Sequence, residues 1–155
     1  MGSISASGIG CAALTLALAA LHTPLLAADP SPPTSVELDI SGVRNAKGRV
    51  LVCLTANPKA YPDCGKDPAS RKLALPATAS LVARFENMPS GVYAAALIHD
   101  ENGNNRMDVA LFLPREGFGM SRNPPIGMGP PSFKSAQFAV SGTPVRLPVK
   151  MRYLF

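Results

Sequence analysis

Apolar and polar residues alternate along most of this chain, and no segment repeats its apolar positions at a sustained helical spacing. Between Ser35 and Ser41, Val36, Leu38 and Ile40 fall on one face and Glu37, Asp39 and Ser41 on the other. A period of two with one wet face predicts a half-buried strand. After a turn at Asn45–Gly48, Arg49–Thr55 (RVLVCLT) is more continuously apolar and predicts a more fully buried second strand. Ser80–Glu86 sets Leu81, Ala83 and Phe85 against Val82, Arg84 and Glu86, and Val92–His99 (VYAAALIH) reads as a central strand. The five residues Asn87–Gly91 between them predict a turn, and with it a hairpin. Ala136–Val140 is short and strand-like, Ser141-Gly142 turns, and Thr143–Tyr153 alternates again. There Val145, Leu147, Val149, Met151 and Tyr153 oppose Arg146, Lys150 and Arg152. Pro144 and Pro148 each lack a ladder donor, which places this last strand at a sheet edge or makes it irregular. Ala56–Leu73, with Pro58, Pro62 and Pro68, reads as an irregular excursion. The pattern predicts an all-β fold, a small antiparallel β-sandwich of about seven strands, as one domain over residues 35–155.

One stretch departs from alternation. Cys11–Ala28 (CAALTLALAALHTPLLAA) is apolar and uncharged, with small residues at its end. His22 and Pro24 interrupt it and no basic anchor follows, so it fits a secretory signal peptide over residues 1–28 better than a membrane span. No transmembrane span is then expected in the mature protein, and a periplasmic or secreted location follows. Residues 29–34 (DPSPPT) form a Pro-rich lead-in, extended or flexible.

Composition agrees with this reading. Among 155 residues, 16 Pro and 13 Gly would break the interiors of a helix bundle, and 46% hydrophobic content is too high for a disordered chain. The formal net charge of +5 raises nucleic acid as a partner. The basic residues are scattered and aromatics are few, so a solvated basic face or affinity for an anionic cell envelope is expected, and no nucleic acid. Export removes Cys11 and leaves Cys53 and Cys64 as an even pair in an oxidising compartment, which predicts a disulfide.

The sharpest chemical signal is His99-Asp100-Glu101-Asn102-Gly103-Asn104-Asn105-Arg106-Met107-Asp108. Asp100, Asn102, Asn104 and Asp108 stand at positions one, three, five and nine of a calcium-type loop, with the Arg106 carbonyl at position seven. That spacing can gather hard oxygen ligands around Ca²⁺. Position six, usually Gly, is Asn105, which tolerates the left-handed conformation. Position twelve, usually a bidentate Glu, is Leu111, and Glu116 replaces it only where the chain folds back. The same residues also fit a polar turn whose side chains bond their own backbone, with no metal.

A lone His99 cannot build a His-based zinc site, and Cys53 and Cys64 lack paired ligand spacing. Gly119-Met120-Ser121-Arg122-Asn123 fails the nucleophile-elbow pattern at its last position. Leu111–Ser135 (LFLPREGFGMSRNPPIGMGPPSFKS) is long for a structureless, Pro/Gly-rich loop, and its Phe112, Phe118, Met120, Met128 and Phe133 must be buried against the sandwich or in a partner.

The run GVYAAALIHDENGNN…D followed by PREGFGMS and PPSFKSA resembles the bacterial exported family called domain of unknown function 2141, over roughly Val36–Val149. The resemblance implies a secreted or periplasmic β-sandwich of the transthyretin-like, Greek-key type, serving as a binding or accessory module. It also implies that the His99–Asp108 loop lies beside the Pro-Arg-Glu-Gly-Phe-Gly loop. The expected function is therefore a non-enzymatic envelope module whose rim, with His99, Glu116, Phe118 and Ser121, binds an envelope component or small ligand. No catalytic residue is assigned. The alternatives are a small hydrolase or isomerase using His99 with Asp100, Asp108 or Glu116, and a purely structural envelope protein.

Overall fold

A computed structural model describes Gly2, residues 33–127 and residues 129–155. The remainder of the expected signal peptide, residues 29–32 of the expected lead-in and Met128 lie outside the described residues.

Ten strand segments account for nearly half of the described chain: β1 (Thr34–Ser41), β2 (Arg49–Thr55), β3 (Arg71–Pro76), β4 (Ser80–Met88), β5 (Gly91–Asp100), β6 (Val109–Ala110), β7 (Leu113–Pro114), β8 (Gly117–Met120), β9 (Phe138–Val140) and β10 (Val145–Lys150). The one α-helix among the described residues, α1, is a single turn over Phe133–Ala136. No described helix is long and apolar enough to cross a membrane.

The strands form two main sheets. The first has the order β10-β1-β4, with β4 antiparallel and β10 parallel to β1. The second runs β3-β2-β5-β8, and β9 joins the same edge of β5 further along, at Gly91–Tyr93. Alternation decides what meets between them. Val36, Leu38 and Ile40 of β1, Ala83 and Phe85 of β4 and Val149 of β10 share one buried cluster with Val50, Val52 and Leu54 of β2 and Ala95 and Leu97 of β5. Each fully buried aliphatic side chain there contributes about 1.5–3 kcal/mol. The opposite face of the first sheet is wet and charged: Arg146 pairs with Asp39 at 2.6 Å, and Arg84 pairs with Glu37.

The all-β sandwich expectation holds, and β10, bearing Pro148, lies at a sheet edge. Three local expectations change. β4 and β5 do not form a hairpin: only Pro89 and Ser90 separate them, yet β4 pairs with β1 and β5 with β2. The corner is held by the Tyr93 hydroxyl, which donates to the Pro89 carbonyl at 3.1 Å. The excursion after Thr55 ends in a strand, β3, whose Leu73 and Leu75 pack on the core edge. The long segment from Leu111 is not structureless, since it contains β7, β8 and α1.

Cys53 of β2 and Cys64 form the expected disulfide. It fastens the excursion to the outer side of β2, beside a hydrogen bond from Thr55 Oγ1 to Asp67 Oδ2. The short strand β8 joins the two sheets at one margin. It pairs with β5 on one side, and on the other Phe118 exchanges backbone hydrogen bonds of 3.0 and 2.8 Å with Arg152, just beyond β10.

Candidate functional site

β5 ends in His99-Asp100, and both side chains are fully buried. His99 continues the inward-facing row of Ala95 and Leu97. Its Nε2 lies 2.8 Å from the Lys47 carbonyl, which can only accept, so Nε2 carries the hydrogen. In the neutral ring, Nδ1 then accepts from the Tyr153 hydroxyl at 2.8 Å. The imidazole thus ties together the β1–β2 loop, the end of β5 and the C-terminal segment. Neither of two shallow surface depressions, one near Phe118 and Lys150 and one near Arg49 and Glu101, includes His99.

Asp100 organises the loop that follows. Its Oδ1 accepts from the Gly103 and Asn104 amides at 2.8 and 3.0 Å, and its Oδ2 accepts from the Asn105 amide at 3.0 Å. Asn105 adopts φ +62°, the left-handed turn that position six requires. On the other side, Gly48 lets the β1–β2 turn approach the Asp100 backbone: at φ +64°, a Cβ there would lie 1.9 Å from the Asp100 carbonyl oxygen.

The chain does fold back. Hairpin β6–β7 returns it so that the Arg115 amide donates to the Asp108 carbonyl at 2.9 Å. Glu116, now buried, then clasps both ends of the loop: Oε1 accepts from the Glu101 amide and Oε2 from the Asp108 amide, each at 3.1 Å. Within the loop, the Asn102 and Asn104 side-chain nitrogens donate to the two oxygens of Asp108 at 2.6 and 2.9 Å. Their side-chain oxygens accept the Asn104 and Arg106 amides, so the loop closes on itself as an Asx-turn network.

This geometry tests the calcium donor set. The residues present are hard oxygen donors, and three of them, Asn102, Asn104 and Asp108, converge. A half-turn of each amide would direct oxygens toward the Asp108 side at the cost of the present hydrogen bonds. Asp100 and Glu116 are engaged with backbone amides. Among the described residues no group of three His, Cys, Asp or Glu side chains is arranged to hold a metal ion. A cation here would therefore depend on Asp108, the two amides and the Arg106 carbonyl, a weakly charged set.

The four residues expected at a binding rim, His99, Glu116, Phe118 and Ser121, are all buried. Ser121 sits between β8 and β9, where its hydroxyl accepts the Ala95 amide at 2.9 Å and donates to the Ala136 carbonyl at 2.6 Å. Phe118 packs with Met120, Ala94 and Ala136 in a second small cluster on the outer side of β5. Gly117 faces the other way: a Cβ there would lie 2.2 Å from the Tyr153 ring. The segment PREGFGMS is therefore mainly a device for joining the loop, β5 and the C-terminal segment.

Sequence reasoning missed the partners that complete this end. Glu101 receives Arg44 through two hydrogen bonds of 2.8 and 2.7 Å, and Asn45 at 2.7 Å. The Arg44 guanidinium also lies 4.6 Å from the Tyr153 ring centroid and donates to the Phe155 carbonyl at 2.7 Å. These bonds, chiefly those from Arg44, hold the Glu101 carboxyl down at about 2, against the opposing effect of burial. Burial pushes the Tyr153 hydroxyl up. No local spacing joins Arg44 to Glu101, so no motif announced the pair. Leu111, which stood out in the sequence only as position twelve without a carboxylate, forms with Phe112 the tip of β6–β7; they are 91% and 99% exposed, so the expected burial of Phe112 does not occur within the described residues.

Among known proteins, the sequence model of domain of unknown function 2141, described as an uncharacterised protein conserved in bacteria, matches residues 38–147. No curated protein matches the chain. No solved structure matches it either.

Proposed function

The chain belongs to the domain of unknown function 2141 family of bacteria, and from that premise we propose that it is a non-enzymatic binding module of the cell envelope, exported by its N-terminal apolar segment. Its working end is the rim where the loop Glu101–Asp108 and hairpin β6–β7 emerge. One observation carries the reading. The groups capable of catalysis (His99, Asp100, Glu116 and Ser121) are buried and bonded within the fold, whereas the rim presents Asn102, Asn104, Arg106 and an apolar tip to solvent. A hydrolase or isomerase using His99 would need the ring to reach a substrate. Here both ring nitrogens are held, and neither is bonded to Asp100, Asp108 or Glu116.

The loop also takes Ca²⁺ weakly, centred on Asp108, with Asn102, Asn104 and the Arg106 carbonyl. Few formal charges and four hydrogen bonds to displace set its dissociation constant at about 10⁻⁴–10⁻³ M, the range of extracellular modules. The test is calorimetry of the chain from Asp29 with Ca²⁺, beside Asp108→Ala, followed by recovery of envelope components with and without chelator. Weak heat lost in Asp108→Ala, together with recovery that depends on the loop, is the expected result. Absence of heat in the unsubstituted chain removes the cation. Equal recovery by Asp108→Ala moves the working surface off this loop.

A further inference from the structure

Hairpin β6–β7 carries a turn that the residues at its tip do not favour. Its two-residue tip, Leu111-Phe112, has φ +49° and +70°, so both central positions of the turn are left-handed. Turns of this kind favour Asn-Gly or Asp-Gly, because a side chain strains the left-handed backbone. Here the strained positions carry bulky apolar side chains that touch almost nothing, and Val109 and Leu113 beside them are 63% and 47% exposed. Strain retained at an exposed tip points to a use for the tip. The hairpin is also firmly based: Arg115 bonds to Asp108, and Glu116 clasps the loop beneath it.

Charge surrounds the base rather than the tip. Arg106 is 78% exposed on one side, lying 3.8 Å from Asp108, and Arg115 is exposed on the other with no ion pair among the described residues. The nearby carboxylates Glu101 and Glu116 are held inward by Arg44 and by backbone amides. Strand rise puts the tip about 7–10 Å beyond this basic collar. That offset matches the depth to which interfacial apolar groups enter the boundary between headgroups and acyl chains, with arginines left among the phosphates.

We propose that β6–β7 is a membrane-interface wedge: Leu111 and Phe112 enter the acyl boundary of an anionic leaflet, and Arg106 and Arg115 engage its headgroup phosphates. A protein partner fits less well, because a stable interface needs about 800 Å² from each side and this apolar surface is a four-residue point. A lipid surface needs no matching shape. The inference rests on the rim being the working end, and it names that rim's partner.

The sequence contains no Trp, so Phe112→Trp in the chain from Asp29, which keeps every described strand, supplies the single indole reporter. With vesicles of phosphatidylcholine mixed with phosphatidylglycerol, its emission shifts to the blue, and the unsubstituted chain co-sediments. Leu111→Ser with Phe112→Ser reduces binding by about tenfold or more while leaving the melting temperature near that of the parent chain. Arg106→Gln and Arg115→Gln each reduce it about fivefold on anionic vesicles and have little effect on pure phosphatidylcholine. An unshifted indole, or equal sedimentation of parent and double-serine chains, overturns the proposal. If vesicles fail while an envelope protein is recovered by the parent chain and lost by the double-serine chain, the occupant is a protein. The wedge is then wrong and the rim reading stands.

Discussion

Glu101 shows how much one side chain can hold together. Its two oxygens join Arg44 and Asn45 of the β1–β2 loop to the start of the Asp/Asn loop, and its own amide is fixed by Glu116. Because its folded carboxyl lies at about 2, below the ordinary value of 4.5, the folded state binds fewer protons than the unfolded state in that window. Stability from this group is fully present above pH about 4.5 and is lost as pH falls toward 2. Glu101→Gln is expected to lower stability by about 1–2 kcal/mol at neutral pH, after allowing for partial solvent exposure. It should also flatten this part of the acid slope, as read by thermal melts across pH. At this scale the sequence was informative where partners are close along the chain and silent where they are not. Asp100, Asn102, Asn104 and Asp108 announced a shared loop by spacing alone. The burial of His99 depends on Lys47 and Tyr153, and no local pattern carries that information.

Among the elements, strands with one wet face were legible. So were the long apolar runs of β2 and β5, whereas short strands and a strand with little buried on either face were not. β1 and β10 show clean alternation because one side of their sheet is charged. β3 was hidden by Arg71 and Lys72 and by its edge position, which leaves only Leu73 and Leu75 half-buried. β8 was hidden because all four of its residues are buried and two are glycine, so no apolar period survives. The β4–β5 corner was misread because adjacency in sequence does not say which sheet a strand joins. The glycines of β8 give the sharpest prediction at this scale. Gly117→Ala forces the Tyr153 ring away from a Cβ 2.2 Å distant. It should cost about 1–3 kcal/mol in denaturant unfolding and break the bond from Tyr153 to His99. Gly119→Ala meets Met151 Sδ at 3.0 Å and Val149 Cγ1 at 3.1 Å, which are side-chain atoms that can yield, and the Lys150 carbonyl oxygen at an ordinary 3.4 Å. Its loss should be smaller, and a larger loss than for Gly117→Ala would contradict this packing.

For the whole molecule, the disulfide and the order of strand pairing matter most. The Cys53–Cys64 bond closes a loop with a sequence separation of 11 residues. Replacing both cysteines by Ser should lower unfolding free energy by about 2–3 kcal/mol in denaturant titration, with the sandwich retained. An unchanged midpoint would mean that the Thr55–Asp67 bond alone secures the excursion. The parallel pairing of β1 with β10 has a different consequence. On the side of β1 away from β4, Val36 finds its neighbour only at Val145, and Ser41 at Lys150. A polypeptide growing from its N-terminus keeps one margin of its first strand bare until nearly every other segment has been made. Such distant pairing is slow to form, so the first sheet stays unfinished at that margin until the last strand has been made.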